Sequence, residues 1–364
     1  MSRAPLFSIV VPVFNAEDYL PEALDSIKNQ TINDFTAVLV DDGSQDASGK
    51  ICDRYAMADA RFKVVHTSNQ GPFAARREAV KLASGKYIVF LDADDTLKAD
   101  ALETIATLVN DDPDMVSFGL CLHPDYSQAM QPALPDGQYY GSQYRVVEAC
   151  ACSGEWNNLC GKAIRRTLFL KTYDHYPDEA GLVIAEDWLQ VLLAVDLGKT
   201  HVSCNVPLYY YRQHINSTTH TFDERYIQNL LDLFRVLENL SAKWGDPCVE
   251  FAEESKLLQT FLILTYCIDA NMGFSKTKQM LEELNILVQR LDLNGARATT
   301  GKMKIRVLAL DMLRRGHTLS AYMIGALWAF ARGAARSDDS PVGLSRESVY
   351  KSLAELSYRI EQVS

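Results

Sequence analysis

Tyr87-Ile88-Val89-Phe90-Leu91-Asp92-Ala93-Asp94-Asp95 decides how this chain is read, because an unbroken apolar run ends abruptly in carboxylates. A short apolar run rich in β-branched and aromatic residues reads as a buried strand. Burial alone does not select carboxylates at its end, since ionised groups are costly to remove from water. Working outward, the same alternation recurs. Leu6 to Val13, Thr36 to Asp41 and Phe62 to His66 read as strands. Glu17 to Asn29, Asp46 to Ala58, Phe73 to Ala83 and Asp100 to Asn110 carry apolar residues at helical spacing. Four successive strand–helix units predict a largely parallel sheet with helices on both faces. Such sheets hold ligands beyond the carboxyl ends of their strands, where loops part and helix N-termini present unpaired N–H groups. The residues there are Pro12 to Asn15, Asp41 to Ser44, Ser68 to Gly71 and Asp92 to Asp95, and they are expected to line one crevice.

Composition agrees with a folded globular chain. With 364 residues, 48% apolar and 23% charged, the chain exceeds what one core usually fills. A net charge of -11 excludes nucleic acid as a general partner, because phosphate binders cluster Lys and Arg. Eight scattered cysteines, without Cys-x-x-Cys pairs, read as buried thiols of a reduced chain and not as a zinc site. Beyond Asp112 the alternation weakens into a strand from Met115 to Leu122, a Pro- and Tyr-rich loop from His123 to Tyr144, and a mixed region to about Thr221. From Tyr226 the pattern is helical, with Ile227, Leu230, Leu231 and Phe234 on one stripe. The expected division is residues 1–112, 113–222 and a helical C-terminal domain at 223–364.

Several side chains suit chemistry with an anionic ligand. A hard divalent cation takes one or two carboxylates plus substrate phosphates, so Asp92, Ala93, Asp94 and Asp95 fit metal-linked diphosphate binding; the alternative is an acidic turn capping the next helix. Asp41 and Asp42 follow a buried strand and can accept hydrogen bonds from a base N–H or a ribose hydroxyl, although Asp-Asp-Gly-Ser alone is also a good turn. Arg76 and Arg77 can reach diphosphate oxygens with fork geometry; for Arg77 a solvated helix face serves equally well.

Taken together, Ser8-Ile9-Val10-Val11-Pro12-Val13-Phe14-Asn15, Val40-Asp41-Asp42-Gly43-Ser44 and Phe90-Leu91-Asp92-Ala93-Asp94-Asp95 resemble family 2 glycosyltransferases of the GT-A fold, over about residues 6–222. Asn69, Gly71, Ala75, Arg76, Ala83, Gly85 and Tyr87 match a further motif of that family, with Phe73, Arg77 and Ala79 departing from it. The resemblance implies an α/β GT-A domain, Rossmann-like and mostly parallel, followed by the helical extension. It implies inverting transfer from a nucleoside-diphosphate sugar, with UDP the expected nucleotide, to a hydroxyl of a glycan or lipid-linked acceptor in surface-polysaccharide assembly. Asp41 would contact the base with Phe14 near it, Pro12, Asp42, Asn69 and Ala93 would line the donor site, and Arg76 would approach the diphosphate. Asp92 and Asp94 would bracket a Mn or Mg ion. Ala185-Glu186-Asp187-Trp188 resembles the element that supplies the general base, which makes Asp187 the catalytic candidate. An inverting transfer needs one such group, because a sugar hydroxyl attacks well only when a carboxylate accepts its proton. Lys162 resembles a basic donor-side position, and Arg212 or His214 would face the diphosphate or complete the metal shell.

Two rivals remain at this stage, a nucleotidyltransferase and a non-catalytic nucleotide-binding protein on the same fold. Dehydrogenase and ATPase readings lack their glycine-rich loops. Residues 302–336 hold seven Lys or Arg against Asp311 alone, flanking an uncharged stretch from Gly316 to Ala331 that is too short to span a bilayer. That segment suits either an anionic membrane surface or a core or dimer helix. No signal peptide is evident at the N-terminus, so a cytoplasmic chain, free or peripheral at the inner face of a membrane, is expected.

Overall fold

The computed structural model describes residues 3–127, 130, 134–153, 158–174, 185–213, 225–269, 274–293, 301–318 and 320–326. His214 and the end of the basic segment, including Trp328, Phe330, Arg332 and Arg336, lie outside them. The chain forms two compact units, Met1–His214 and Ile215–Ser364.

The first unit begins with β1 (Phe7–Val13), α1 (Leu20–Lys28), β2 (Phe35–Asp41), α2 (Ser48–Ala58), β3 (Phe62–His66), α3 (Pro72–Leu82) and β4 (Tyr87–Phe90). It continues with β5 (Thr96–Leu97), α4 (Ala101–Leu108), β6 (Met115–Cys121), β7 (Gly137–Tyr140) and α5 (Tyr144–Cys152). Then follow β8 (Lys162–Arg165), α6 (Arg166–Thr172), α7 (Glu186–Leu197) and β9 (Thr200–Tyr210). The strands make one sheet in the order β3-β2-β1-β4-β8-β6-β9-β5, with β7 also paired to β9. The first four are mutually parallel, as the strand–helix alternation predicts. Beyond β4 the sheet is mixed, because β8 inserts antiparallel between β4 and β6.

Alternation of side chains explains why helices cover both faces. Phe7, Ile9 and Val11 share a buried cluster with Leu20, Leu24 and Ile27 of α1 and Ile51 and Cys52 of α2. On α6, Phe169 packs its ring 5.0 Å from that of Phe90 in β4. Two departures from the sequence reading have local causes. The β4 ladder stops at Phe90 and not at Asp92, because the Asp92 N–H turns to the Tyr209 hydroxyl (3.2 Å). In the region read only as mixed, β9 is an eleven-residue strand. Asn205-Val206-Pro207 disguises it: the β6 register shifts around Gly119, where a Cβ would lie 2.7 Å from the carbonyl oxygens of Asn205 and Val206. Such a bulge lets a strand carry proline inside a sheet.

The second unit contains α8 (Tyr226–Trp244), α9 (Cys248–Asp269), α10 (Phe274–Val288) and α11 (Gly301–Arg314). The expected stripe of α8 is buried at Ile227, Leu230, Leu231 and Phe234. Lys256, almost fully buried, is neutralised by Glu238 at 2.8 Å and Glu253 at 2.6 Å. Among the described residues no helix is long and apolar enough to cross a membrane.

The turn into β4 rests directly on β1. Ser8 Oγ accepts hydrogen bonds from the N–H groups of Gly85 (2.8 Å) and Ser84 (3.2 Å), and a Cβ on Gly85 would stand 2.3 Å from the Phe7 carbonyl carbon. Gly85→Ala is therefore expected to lower the urea midpoint by the equivalent of ~1–3 kcal/mol. An unchanged midpoint would mean that this turn can move off β1 without loss.

Candidate active site

Because β1 to β4 are parallel neighbours, their carboxyl ends lie along one edge, and hydrogen bonds tie the first three loops together. The Asn15 N–H donates to Ser44 Oγ (3.0 Å), and Asn15 Oδ1 accepts from the Gln45 N–H (2.8 Å). Asp42 accepts from the Thr67 hydroxyl (3.0 Å) and from the N–H groups of Gln70 (3.0 Å) and Gly71 (2.8 Å). Its carboxylate thus shapes the loop that leads into α3. Gly43, at φ +76°, allows close approach, since a Cβ there would sit 2.9 Å from the Asn69 nitrogen. Asp41 is turned differently: one oxygen accepts from the Ser44 N–H (3.1 Å) and the other meets His66 Nδ1 (2.8 Å). Phe14 is half exposed at the same edge, Asn69 is exposed and Pro12 is half-buried.

The next strand end holds a buried cluster of charge. Arg76 of α3 directs its guanidinium to Asp187 Oδ1 (2.6 Å), Asp92 Oδ1 (2.9 Å) and Glu186 Oε1 (3.2 Å). The carboxylates come from the end of β4 and the first turn of α7, where the helix macrodipole favours negative charge. Asp187 Oδ2 also accepts the Leu159 N–H (3.3 Å). Burial works against charge on Arg76, but Asp187, Asp92 and Glu186 outweigh it and hold its pKa above the usual arginine value. Burial pushes the Asp187 carboxyl up to about 7, with Glu186 and Asp92 adding repulsion and Arg76 opposing the shift.

A second network fixes the acidic turn itself. The Tyr209 hydroxyl donates to Asp95 Oδ2 (2.6 Å) and lies 3.2 Å from Cys160 Sγ, while that thiol meets Asp92 Oδ2 at 3.2 Å. The Arg212 backbone N–H donates to Asp95 Oδ1 (2.8 Å), and its side chain donates to the Asp94 carbonyl (2.8 Å) and to Glu22 (2.6 Å). Arg212 therefore clamps the turn to the end of β9. Burial, then the charges of Asp92 and Asp94, push Asp95 up to about 8. Ligand atoms of Asp92, Asp95 and Cys160 lie within 4.8 Å of one another. Burial first, and then mutual repulsion, disfavour charge on Asp95, and the hard oxygens of these carboxylates fit a divalent cation that would relieve the repulsion.

Of the sequence candidates, Asp92 and Asp187 are brought to one guanidinium, Arg212 to the turn of Asp94 and Asp95, and Asp41 and Asp42 to the neighbouring loops. Ala93 is buried within the acidic turn. Lys162 is buried on β8 and directs its ammonium to the carbonyl and to the side-chain oxygen of Asn158; burial pushes it down to about 8. The assignment of His214 falls outside the described residues. Tyr209, Cys160, Glu186 and His66 are the participants not singled out as ligands or catalytic groups, and Asp95 was read only as part of its acidic run. Asp95 was legible as the last acid of its run, whereas the Cys160 contact joins residues 68 positions apart and leaves no local signal.

Residues 8–181 match the family model described as Glycosyl transferase family 2. The chain is 31% identical to the glycosyltransferase GlyG of Streptococcus pneumoniae over 63% of this chain and 78% of that protein. It is 29% identical to the putative glycosyltransferase EpsH of Bacillus subtilis over 78% of this chain and 82% of that one. Among solved structures, TarS 1-349 of S. aureus in complex with UDP shares the fold, with a TM-score of 0.60, 19% identity, and coverage of 93% of this chain and 94% of that one. A mannosyltransferase of Pyrobaculum calidifontis in complex with GDP-Man and Mn2+ matches with a TM-score of 0.51, 17% identity, and coverage of 90% and 88%.

Removing one partner from a buried ion cluster leaves the others uncompensated, at a cost of ~3–5 kcal/mol. Arg76→Gln is expected to lower the urea midpoint accordingly, and adding Asp187→Asn is expected to recover part of the loss, because the two sites are coupled. Equal midpoints for the single variant, the double variant and the parent would show that the cluster is neutralised some other way.

Proposed function

This chain belongs to glycosyl transferase family 2 and is a glycosyltransferase, and from that premise we propose inverting, metal-dependent transfer of a sugar from a UDP-sugar to a hydroxyl of a glycan or lipid-linked acceptor. The observation that carries this reading is the single guanidinium of Arg76, which brings a carboxylate at the sheet's ligand-binding edge, Asp92, within reach of one at the start of α7, Asp187. Transfer needs a donor-side charge and an acceptor-side base in proximity, and the closeness of these two carboxylates supports that reading. UDP is preferred as the nucleotide because TarS was solved with UDP and with UDP-GlcNAc. GDP is the competing nucleotide, since the mannosyltransferase carries GDP-Man.

In this proposal Asp41 accepts a hydrogen bond from the base, with Pro12, Phe14, Asp42 and Asn69 forming the rest of that edge. Asp92 and Asp94 hold a Mn or Mg ion, with Ala93 between them and His214 as a further ligand. When bound, such an ion supplies positive charge to the departing diphosphate. Arg76 and Arg212 contribute cationic character beside the same groups, and Lys162 supports the donor side. Asp187 accepts the proton of the attacking hydroxyl. Residues 1–112 form the donor half, 113–222 the acceptor half, and 223–364 the helical domain. Residues 302–336 contact a membrane surface, which would place the enzyme near a lipid-linked acceptor in surface-polysaccharide assembly, or else a second copy of the chain.

Calorimetric titration with UDP in the presence of Mn²⁺ is expected to show binding that chelator removes and that Asp92→Asn weakens strongly. GDP binding in its place would change the donor, and no diphosphate binding under any metal would overturn the proposal. Asp187→Asn is expected to keep UDP binding while lowering turnover ~10²–10⁴-fold, the usual contribution of a general base. Asp187 acts as the carboxylate, so turnover falls as pH drops below about 7 and the group takes up its proton. UDP release from a panel of UDP-sugars, followed across pH, measures both effects.

A further inference from the structure

His66, the last residue of β3, sits opposite Asp41 in the β2 ladder and is bound on both ring nitrogens. Its Nδ1 lies 2.8 Å from Asp41 Oδ2, and its Nε2 lies 3.1 Å from Asp53 Oδ1 on α2. A neutral imidazole carries one N–H, so it can donate to only one of these carboxylates; bonding to both requires the doubly protonated ring. The surrounding backbone accommodates this bridge. A Cβ on Gly49 of α2 would stand 2.7 Å from Asp41 Oδ2 and 3.5 Å from His66 Cε1, so glycine lets the helix close on the pair. The charged groups acting on the ring are Asp41 from β2 and Asp53 from α2, and their hydrogen bonds outweigh burial and raise its pKa. The ring is about half exposed, so its proton exchanges with solvent, whereas the Asp41 carboxylate it faces is almost fully buried.

We propose that His66 is the positioning residue for the nucleobase carboxylate Asp41, and that uridine-nucleotide affinity depends on its ring carrying both protons. The inference rests on the donor-site reading given above. With both protons present, the ring holds one Asp41 oxygen, offsets its charge and leaves the carboxylate facing the base in one orientation. Loss of a proton removes the donor from Asp41 or from Asp53. It also leaves the buried Asp41 charge less compensated beside an incoming polyanion. Affinity is thus expected to be highest while the imidazolium persists and to fall as pH rises through its titration. By linkage, bound nucleotide raises the affinity of His66 for its proton.

The test is calorimetric titration of the full chain with UDP in the presence of Mg²⁺ between about pH 6 and 8, the range in which imidazoles titrate. The parent is compared with His66→Gln and Asp53→Asn, so that ionisation of UDP itself cancels in the ratio. His66→Gln is expected to bind about tenfold more weakly at the acid end, the scale of one charge-assisted hydrogen bond, with the ratio approaching unity at the alkaline end. Asp53→Asn, an exposed change outside the donor edge, should move that convergence to lower pH. The His66 ring resonances, followed by NMR with and without UDP, should titrate at higher pH when UDP is bound. UDP binding by the parent with a ratio near unity throughout, or a His66 titration that UDP does not move, would overturn the proposal and leave the donor-site reading intact. Absence of UDP binding in the parent would overturn both.

Discussion

The guanidinium of Arg76 brings positive charge to a place where carboxylates from the end of β4 and the start of α7 converge. In water these acids would be hydrated and apart. Inside the protein their proximity is tolerable only because one cation serves all three. The arrangement joins the parallel half of the sheet to the segment that follows β8, and so the two sides of the candidate site share one electrostatic centre. Ion clusters of this kind do little for net stability compared with apolar packing.

The acidic turn after β4 is built in the same spirit. Asp95 is withdrawn into the protein and saturated by the Tyr209 hydroxyl and the Arg212 N–H, which makes it a support. Asp92 remains half-buried between Arg76 and Cys160. Adjacent acids in one run thus have different environments, and burial, more than identity, separates their roles. On the neighbouring loops Asp41 and Asp42 divide in a comparable way. Asp42 spends its lone pairs on loop backbone, whereas Asp41 is held by a histidine and one backbone N–H.

Membership of glycosyl transferase family 2 accords with the order of strands, and the structure adds how a mixed sheet completes the site. Inserting β8 antiparallel beside β4 puts the segment before it, with Leu159 and Cys160, against Asp187 and Asp92. The far end of β9 then delivers Tyr209 and Arg212 to the acidic turn. Without antiparallel β8 and the β9 strand that runs parallel to β6, the first four strands would present carboxylates with no structure on their open side.

From the sequence by itself the first four strands, their helices and the acidic strand ends were legible, because period-2 and period-3.6 patterns are local and carboxylates after apolar runs stand out. The buried stripe of α8 was legible for the same reason, whereas Asp187 was singled out only through the resemblance of residues 185–188 to a family element. The interior of β9 was not, since Pro207 and its bulge break the pattern that identifies a strand. Only tertiary structure decided that Arg76 meets Asp187, 111 positions away, that Cys160 meets Asp92, and that Lys162 turns to Asn158. It also placed His66 between Asp41 and Asp53. Charge environment depends on distance through space and on exclusion of water, and neither quantity has a period along the chain.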